Sequence, residues 1–310
     1  MKDMLLIEAK GLDCSGASYI CLLSTLTDQF PLLYHSHFTF GIDCNSSLPL
    51  GSRLRSYHGN IEKDIAQIFG ITFSSINEVN PLFLQELIMQ KGFLIAEMET
   101  CLCNWLPKLN IYDRHMFVIK SIKDQMVCIF DPIVFKDNLI KPLSEIKIIR
   151  VIYMDFYNKL QPDIYNVLSR ALQSLNDYDI DLEFECFINV VSALNDLTGE
   201  FSAPIHKATW NSDLVSNLGY VISGSRWLYS TFLNLFISRN PDMESLSNAV
   251  RSLENEWTVL KNLFVRCILW NDFNKQKTII ISRIKNLYNK EKECSNRLKD
   301  KLWHLWNYYE

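Results

Sequence analysis

Short hydrophobic runs alternate with polar breaks in the N-terminal half of the chain. Runs rich in β-branched and aromatic residues predict strands at 92–98, 115–122, 126–130 and 146–154. The second and third of these flank only three polar residues, a spacing typical of a β-hairpin. Hydrophobic residues that recur every three or four positions predict helices at 16–26 and 61–69. Separate runs of helix and strand indicate an α+β domain.

From Pro162 onward the hydrophobic positions follow a helical period almost throughout, as at Ile164, Leu168 and Leu172. We therefore expect an α+β domain over 1–155 and a mostly α-helical domain over 156–310. Lys and Glu are dense between 285 and 301. A basic lipid- or RNA-binding helix has such a composition, but a solvated helix face is the more common origin.

Composition and charge narrow the class of protein. The chain has 310 residues, 48% hydrophobic and 21% charged, which is an ordinary globular balance. Its net charge of −4 predicts no nucleic-acid partner. The N-terminal apolar run is too short for a signal peptide, and the charge-free stretch 214–225 is shorter than the roughly 20 residues that cross a bilayer, so we expect no membrane association. Nine scattered cysteines without a CxxC pair favour reduced thiols, a cytoplasmic location and no structural zinc.

Cys14 is the first candidate for chemistry. The polar residues Asp13, Cys14 and Ser15 stand immediately before a helical hydrophobic pattern, which places Cys14 near a helix N-terminus. Unpaired N–H groups and the helix dipole favour an anion there, and a thiolate is such an anion. The same N–H groups can hold the oxyanion of an acyl intermediate. A small cysteine at a helix start is also commonly a packing residue.

His115 and Asp131 form the second part of the candidate site. His115 begins one strand of the predicted hairpin, and Asp131 closes the other just before Pro132. Pairing of the two strands brings the open ends together, so the acid can orient the imidazole while the other ring nitrogen takes a proton from a thiol. An exposed loop histidine and an Asp-Pro turn are the alternative readings of these residues.

Several segments together resemble the butirosin biosynthesis protein H family. The segments that carry the resemblance are 14–26, 57–59, 91–105, His115 and Asp131-Pro132. The family is similar in fold to papain-like cysteine peptidases, including the peptidase domains of bacteriocin exporters, and its members accompany nonribosomal peptide or polyketide assembly lines. The resemblance covers roughly residues 10–150, with a looser match in the helical half.

The resemblance implies an acyltransferase that needs no cofactor and no metal. It implies transfer of an acyl or peptidyl group from the phosphopantetheine thioester of a carrier protein to an amine acceptor. A homodimer is one candidate assembly of the chain. Cys14 is then the nucleophile, His115 the general base and acid, and Asp131 the residue that orients the histidine. The residues implied near the substrate are Asp13, Ser15, Glu99 and Trp105.

This sequence departs from the family pattern at three places. Cys101 stands where the family has an aromatic residue, and Asn104 where it has a proline. No glutamine lies at the papain-like spacing ahead of Cys14, so the oxyanion hole would consist of backbone N–H groups or another side chain. A peptidase, amidase or thioesterase that uses the same three residues, and a catalytically inactive binding partner of a synthetase, remain alternatives.

Two other motifs have simpler interpretations. His35 and His37 have the spacing of two metal ligands on a strand, but a third ligand is missing, and Phe38 and Phe40 favour a half-buried strand. Tyr57-His58-Gly59-Asn60 is typical of a turn in which Asn60 caps the helix that follows.

Overall fold

The structure is a computed structural model that describes residues 12–56, 60–106, 114–132, 136–157, 161–200 and 214–309. Its α-helices are α1 Cys14–Ser24, α2 Leu50–Arg53, α3 Ile61–Phe69, α4 Pro81–Lys91, α5 Ile164–Asp177, α6 Ile180–Ala193, α7 Leu214–Ser216, α8 Gly224–Asn234, α9 Asp242–Trp270 and α10 Phe273–Tyr309. Its strands are β1 Phe40–Ile42, β2 Leu54–Ser56, β3 Ile71–Asn77, β4 Leu94–Glu99, β5 Arg114–Lys123, β6 Met126–Asp131, β7 Lys136–Pro142 and β8 Arg150–Tyr157. Single turns of 3₁₀ helix occur at Phe30–Tyr34, Thr100–Leu102, Leu143–Glu145 and Thr198–Glu200, and a π-helix at Asn217–Ser223.

The described chain divides into two compact units. Its helices and its six-stranded antiparallel sheet confirm the predicted α+β class. The first unit contains 12–30 and the described residues of 60–162, and the second contains 31–56, 163–200 and 214–309. Residues 31–56 were expected in the N-terminal domain, whereas the structure groups this segment with the helices. Its hairpin β1–β2 is held there by α6, because the Ile42 N–H donates to Glu183 Oε2 at 2.7 Å.

The first unit is built on a six-stranded antiparallel sheet with the strand order β3-β8-β4-β5-β6-β7. The predicted hairpin is present as β5 and β6. Asp124 and Gln125 form its turn at φ values of 50° and 61°, and two residues of positive φ match the right-handed twist of the flanking strands. The strand predicted at 146–154 is shifted, because a 3₁₀ turn at Leu143–Glu145 delays β8 until Arg150.

Helix α1 packs against β4 and β5, and it begins with Cys14. Asp13 caps it by accepting the Gly16 N–H at 2.6 Å. Every residue from 16 to 24 is buried, so this helix is apolar around its circumference instead of amphipathic. Asn60 caps α3 as predicted, accepting the Lys63 N–H at 3.0 Å.

The sheet places His115 at the end of an apolar face. Met98 pairs with His115, and Ala96 pairs with Phe117, so these side chains share one side of the sheet. Met98, Ala96 and Phe117 belong to a buried cluster that also contains Trp105. His115 therefore sits at the margin of a region from which water is excluded.

The second unit is mainly helical and has a buried charged pair in its core. Arg226 of α8 and Glu291 of α10 are both fully buried and form a bidentate ion pair at 2.8 and 3.1 Å. No helix among the described residues is long and apolar enough to cross a membrane.

The Lys-rich segment of α10 pairs with acids of neighbouring helices. Lys292 contacts Asp181 at 2.8 Å, and Lys301 contacts Asp242 at 2.9 Å. All four side chains are exposed. This arrangement matches a solvated helix face.

The prediction of reduced thiols is wrong for two of the nine cysteines. Cys44 and Cys186 form a disulfide within the second unit, with their Cα atoms 5.6 Å apart. They are 142 positions apart in the sequence, so no local cysteine spacing indicates that they pair. The other seven cysteines take no part in this disulfide.

Candidate active site

Cys14, His115 and Asp131 lie together in the first unit. The His115 ring nitrogen Nε2 is 2.7 Å from Asp131 Oδ2, and the Cys14 thiol hydrogen-bonds the same imidazole. A carboxylate only accepts, so Nε2 carries the proton and Nδ1 is the ring nitrogen left for the sulfur. The side chain of His115 is 5% exposed and that of Asp131 is fully buried, whereas Cys14 is half-buried.

An irregularity in the β6–β7 pairing sets the direction of the Asp131 side chain. The β6–β7 register shifts between Ile129 and Asp131, and such bulges redirect the side chains beside them. Asp131 and Ile129 consequently do not follow one regular ladder. His115 lies in a regular stretch of the β4–β5 pairing.

The surroundings of His115 favour its charged form. Burial lowers the pKa of the imidazole, but the hydrogen bonds and charges of Asp131 and Cys14 outweigh burial and raise this pKa to about 9. An imidazolium beside a sulfur stabilises a thiolate. The contact therefore places an imidazole that favours its charged form beside the Cys14 sulfur.

A second cysteine near the site has the opposite character. Burial raises the pKa of the Cys103 thiol to about 12, and the charges of Asp131, Cys101 and Cys14 add to this effect. Cys103 donates to the Glu99 carbonyl oxygen at 3.6 Å. A thiol that stays protonated is a poor nucleophile, so Cys103 is a packing residue while Cys14 has the environment of a reactive one.

Trp105 contacts the acid of the site. Its indole N–H donates to Asp131 Oδ2 at 2.7 Å, and the same oxygen accepts from His115. Trp105 is 8% exposed and meets Phe117 edge to face, with ring centroids 5.4 Å apart. The structure shows Trp105 in contact with the acid of the site. The role near the substrate that the resemblance implied stays a prediction.

The remaining predicted site residues are Asp13, Ser15 and Glu99. They do not gather around the Cys14 sulfur. Asp13 is the exposed N-cap of α1, and Ser15 is half-buried in the first turn. Glu99 ends β4, is exposed, and accepts from the Cys101 thiol at 3.7 Å. Asp13 accepts the Gly16 N–H with its side chain and the Ala17 N–H with its carbonyl oxygen. The two helix N–H groups that precede these in the chain are those of Cys14 and Ser15.

The sequence analysis missed a charged cluster on the sheet. Glu97 is 2% exposed and accepts from Arg114 at 3.1 Å and from Arg150 at 2.6 Å. A lone acid inside the apolar run of β4 was the available signal, because a buried carboxylate needs a cationic partner. Glu97 pairs with Met116 in the strand register, and therefore projects from the face opposite His115.

The two histidines considered as metal ligands lie in a turn and not on a strand. His35 and His37 are buried in a turn after the 3₁₀ helix, and the strand predicted around them begins only at Phe40. His35 Nδ1 is 3.0 Å from the Leu32 carbonyl oxygen. Within the part of the chain that the structure describes, no group of three or more His, Cys, Asp or Glu residues could hold a metal ion.

The raised pKa of His115 predicts a pH-dependent stability. Because the folded pKa of about 9 exceeds the unfolded value near 6.5, the pair stabilises the fold fully below about pH 6.5, and this contribution is lost as the pH rises through about 9. The difference corresponds to on the order of 3 kcal/mol. Urea unfolding of the wild type at about pH 6 and about pH 10 should show this loss, compared with His115→Gln.

In the His115→Gln variant the excess loss between the two pH values should disappear. His304→Gln is the matched control, because the His304 side chain is 66% exposed and pairs only with Asp300 at 3.5 Å among the contacts seen in the described chain. A wild-type stability that rises between the two pH values, or a loss that persists in His115→Gln, would contradict the assignment.

The arrangement can perform nucleophilic chemistry at an acyl carbon. It combines a sulfur at a helix N-terminus, an imidazole in contact with it and an acid behind the imidazole, and these are the parts that activate a cysteine nucleophile. A scan against protein-family models finds no match for this chain, and a search of curated proteins finds none.

Proposed function

We propose that the chain is a cysteine-dependent acyltransferase with a papain-like first unit. The observation that carries the proposal is the buried Asp131–His115 pair in contact with the thiol at the start of α1. A helix that begins with the nucleophile and packs on an antiparallel sheet bearing the histidine and the acid supports the papain-like assignment. The helical second unit would bind the acceptor or a partner.

The donor in this proposal is an acyl or peptidyl thioester on a carrier protein. The Cys14 thiolate attacks the thioester carbonyl carbon, a new carbon–sulfur bond forms, and the backbone N–H groups of Cys14 and Ser15 stabilise the oxyanion. The tetrahedral intermediate expels the carrier thiol, which takes the proton of the His115 imidazolium. The acyl group is then held on Cys14.

The second half of the reaction uses an amine. The amine attacks the acyl-Cys14 carbonyl, neutral His115 accepts a proton from it, and the Cys14 thiolate leaves with the proton retained on the imidazole. The starting ion pair is thereby restored, so neither a metal nor a redox cofactor enters the balance. A thioester suits this machinery because a thiol leaves more readily than an amine.

A location in the cytoplasm, where carrier-protein pathways operate, remains a prediction. The Cys44–Cys186 disulfide argues against it, because disulfides persist mainly in oxidising compartments.

The test is acylation of the wild-type protein by thioesters. Incubation with a panel of acyl N-acetylcysteamine thioesters should give a mass increase of one acyl group, which peptide mapping should assign to Cys14. The adduct should discharge faster when primary amines are added than in buffer alone, and the product should be an amide. Discharge at the same rate with and without amines would indicate a hydrolase, and no adduct from any thioester or loaded carrier would favour a binding role.

A further inference from the structure

The indole of Trp105 makes a contact that the reaction as written does not use. Its N–H and that of His115 Nε2 converge on one oxygen of Asp131, each at 2.7 Å. An indole N–H donates at every ordinary pH and cannot accept, so this donor does not change when the site titrates. The ring is fixed by its edge-to-face packing on Phe117.

We propose that Trp105 is a positioning residue that holds Asp131 toward His115, and thereby His115 toward Cys14. The inference rests on the proposed function and assigns Trp105 to the nucleophile's activation, away from substrate contact. With Oδ2 anchored by the indole, the carboxylate cannot rotate away from the imidazole without breaking a buried hydrogen bond. The imidazole then keeps its remaining nitrogen directed at the sulfur.

Electrostatics point in the same direction. Asp131 is fully buried, so its charge is stabilised by hydrogen-bond donors of the protein and not by water. Without the indole N–H, the buried carboxylate has one donor fewer and can turn away from the imidazole. A carboxylate that has turned away no longer supports the His115 imidazolium.

Other titratable groups also lie around the acid. Cys14 approaches from α1, His115 from β5 and Cys103, coupled to Cys101, from the turn after β4. The Lys141 amine of β7 lies 5.9 Å from the Trp105 ring centroid. Cys103 stays a neutral thiol below its pKa of about 12, so it does not compete with His115 in the range tested.

The experiment is the pH profile of Cys14 alkylation in Trp105→Phe. Iodoacetamide labels thiolates, and peptide mass spectrometry separates Cys14 from the exposed Cys101, which serves as the internal reference thiol. The acid limb of the Cys14 profile should shift upward by about one pH unit, the amount expected for one lost hydrogen bond to a charged group. The rate above the limb should stay unchanged, because a fully formed thiolate no longer depends on the acid.

Trp257→Phe is the matched control. Trp257 donates its indole N–H to Glu291 Oε1 at 2.6 Å in the second unit, so this variant also removes a buried indole–carboxylate bond. The Cys14 profile should not move in it. An unmoved limb in Trp105→Phe, a limb shifted to lower pH, or an equal shift in Trp257→Phe would each overturn the inference.

A measurement on the wild type covers the case in which Trp105→Phe does not fold. In ¹⁵N-labelled protein, one of the seven tryptophan indole N–H signals should shift with the same midpoint as the Cys14 alkylation profile. If none of the seven shifts, the inference is wrong. A wild-type Cys14 that follows the same profile as Cys101 would instead count against the proposed function itself, so the two failures are distinguishable.

Discussion

Replacing Cys14 with alanine is expected to abolish acylation of the protein by thioesters. The sulfur of Cys14 contacts the His115 imidazole, whereas the Cys103 thiol has a pKa raised to about 12 and cannot substitute for it. Loss of an activated nucleophile should lower the rate of adduct formation by at least about 10³-fold. Intact-protein mass spectrometry after incubation with the reactive thioester measures the effect.

The matched control for this variant is Cys101→Ala. Cys101 is exposed and contacts the Glu99 carboxylate, so any unspecific acyl exchange with surface thiols should occur there. Cys101→Ala should acylate at the wild-type rate. Acylation that persists in Cys14→Ala and disappears in Cys101→Ala would show that the nucleophile is assigned to the wrong residue.

Replacing Arg226 with methionine is expected to destabilise the second unit by about 3–5 kcal/mol, because it leaves a buried carboxylate without its cation. Glu291 is fully buried and has Arg226 and the Trp257 indole N–H as donors. The guanidinium also lies 4.9 Å from the Phe38 ring centroid, so the variant loses a cation–π contact as well. The free energy of unfolding in urea measures the change.

The double variant Arg226→Met/Glu291→Leu separates the charge effect from packing. With both charges gone, most of the lost stability should return, since apolar replacements of a buried pair are often neutral or stabilising. Lys292→Met is the surface control: it breaks the exposed pair with Asp181 and should leave the unfolding free energy nearly unchanged. If Arg226→Met is as stable as Lys292→Met, the buried pair does not stabilise the second unit in this way.

Local features of the fold were predictable because short-range chemistry decides them. A polar gap between two β-rich runs marks a hairpin, and Asp124 and Gln125 supply its turn. Asn60 caps α3 with its own side chain. Asp13 and Cys14 stand where a polar cluster meets a hydrophobic helix, so the start of α1 could be placed to within two residues.

Long-range pairings were not predictable from these patterns. The hairpin β1–β2 belongs to the helical unit because Glu183 and Cys186 of α6 hold it, and no spacing in the sequence indicates that attachment. The pairing of Arg226 with Glu291 was not predictable either, because the sequence shows them only as charged residues on two helices. Their burial depends on which helix faces meet.

The sequence by itself determined which residues carry chemistry and where the elements that bear them begin: a cysteine at a helix start, a histidine opening one strand and an acid closing the next. Only the tertiary structure decided that Cys14 contacts His115, that the acid stays buried, and that Trp105 donates to it. The physical reason is range. Capping, turns and hydrophobic period act over a few residues, whereas the ionisation of a side chain depends on burial and on charges that distant segments bring within hydrogen-bonding distance.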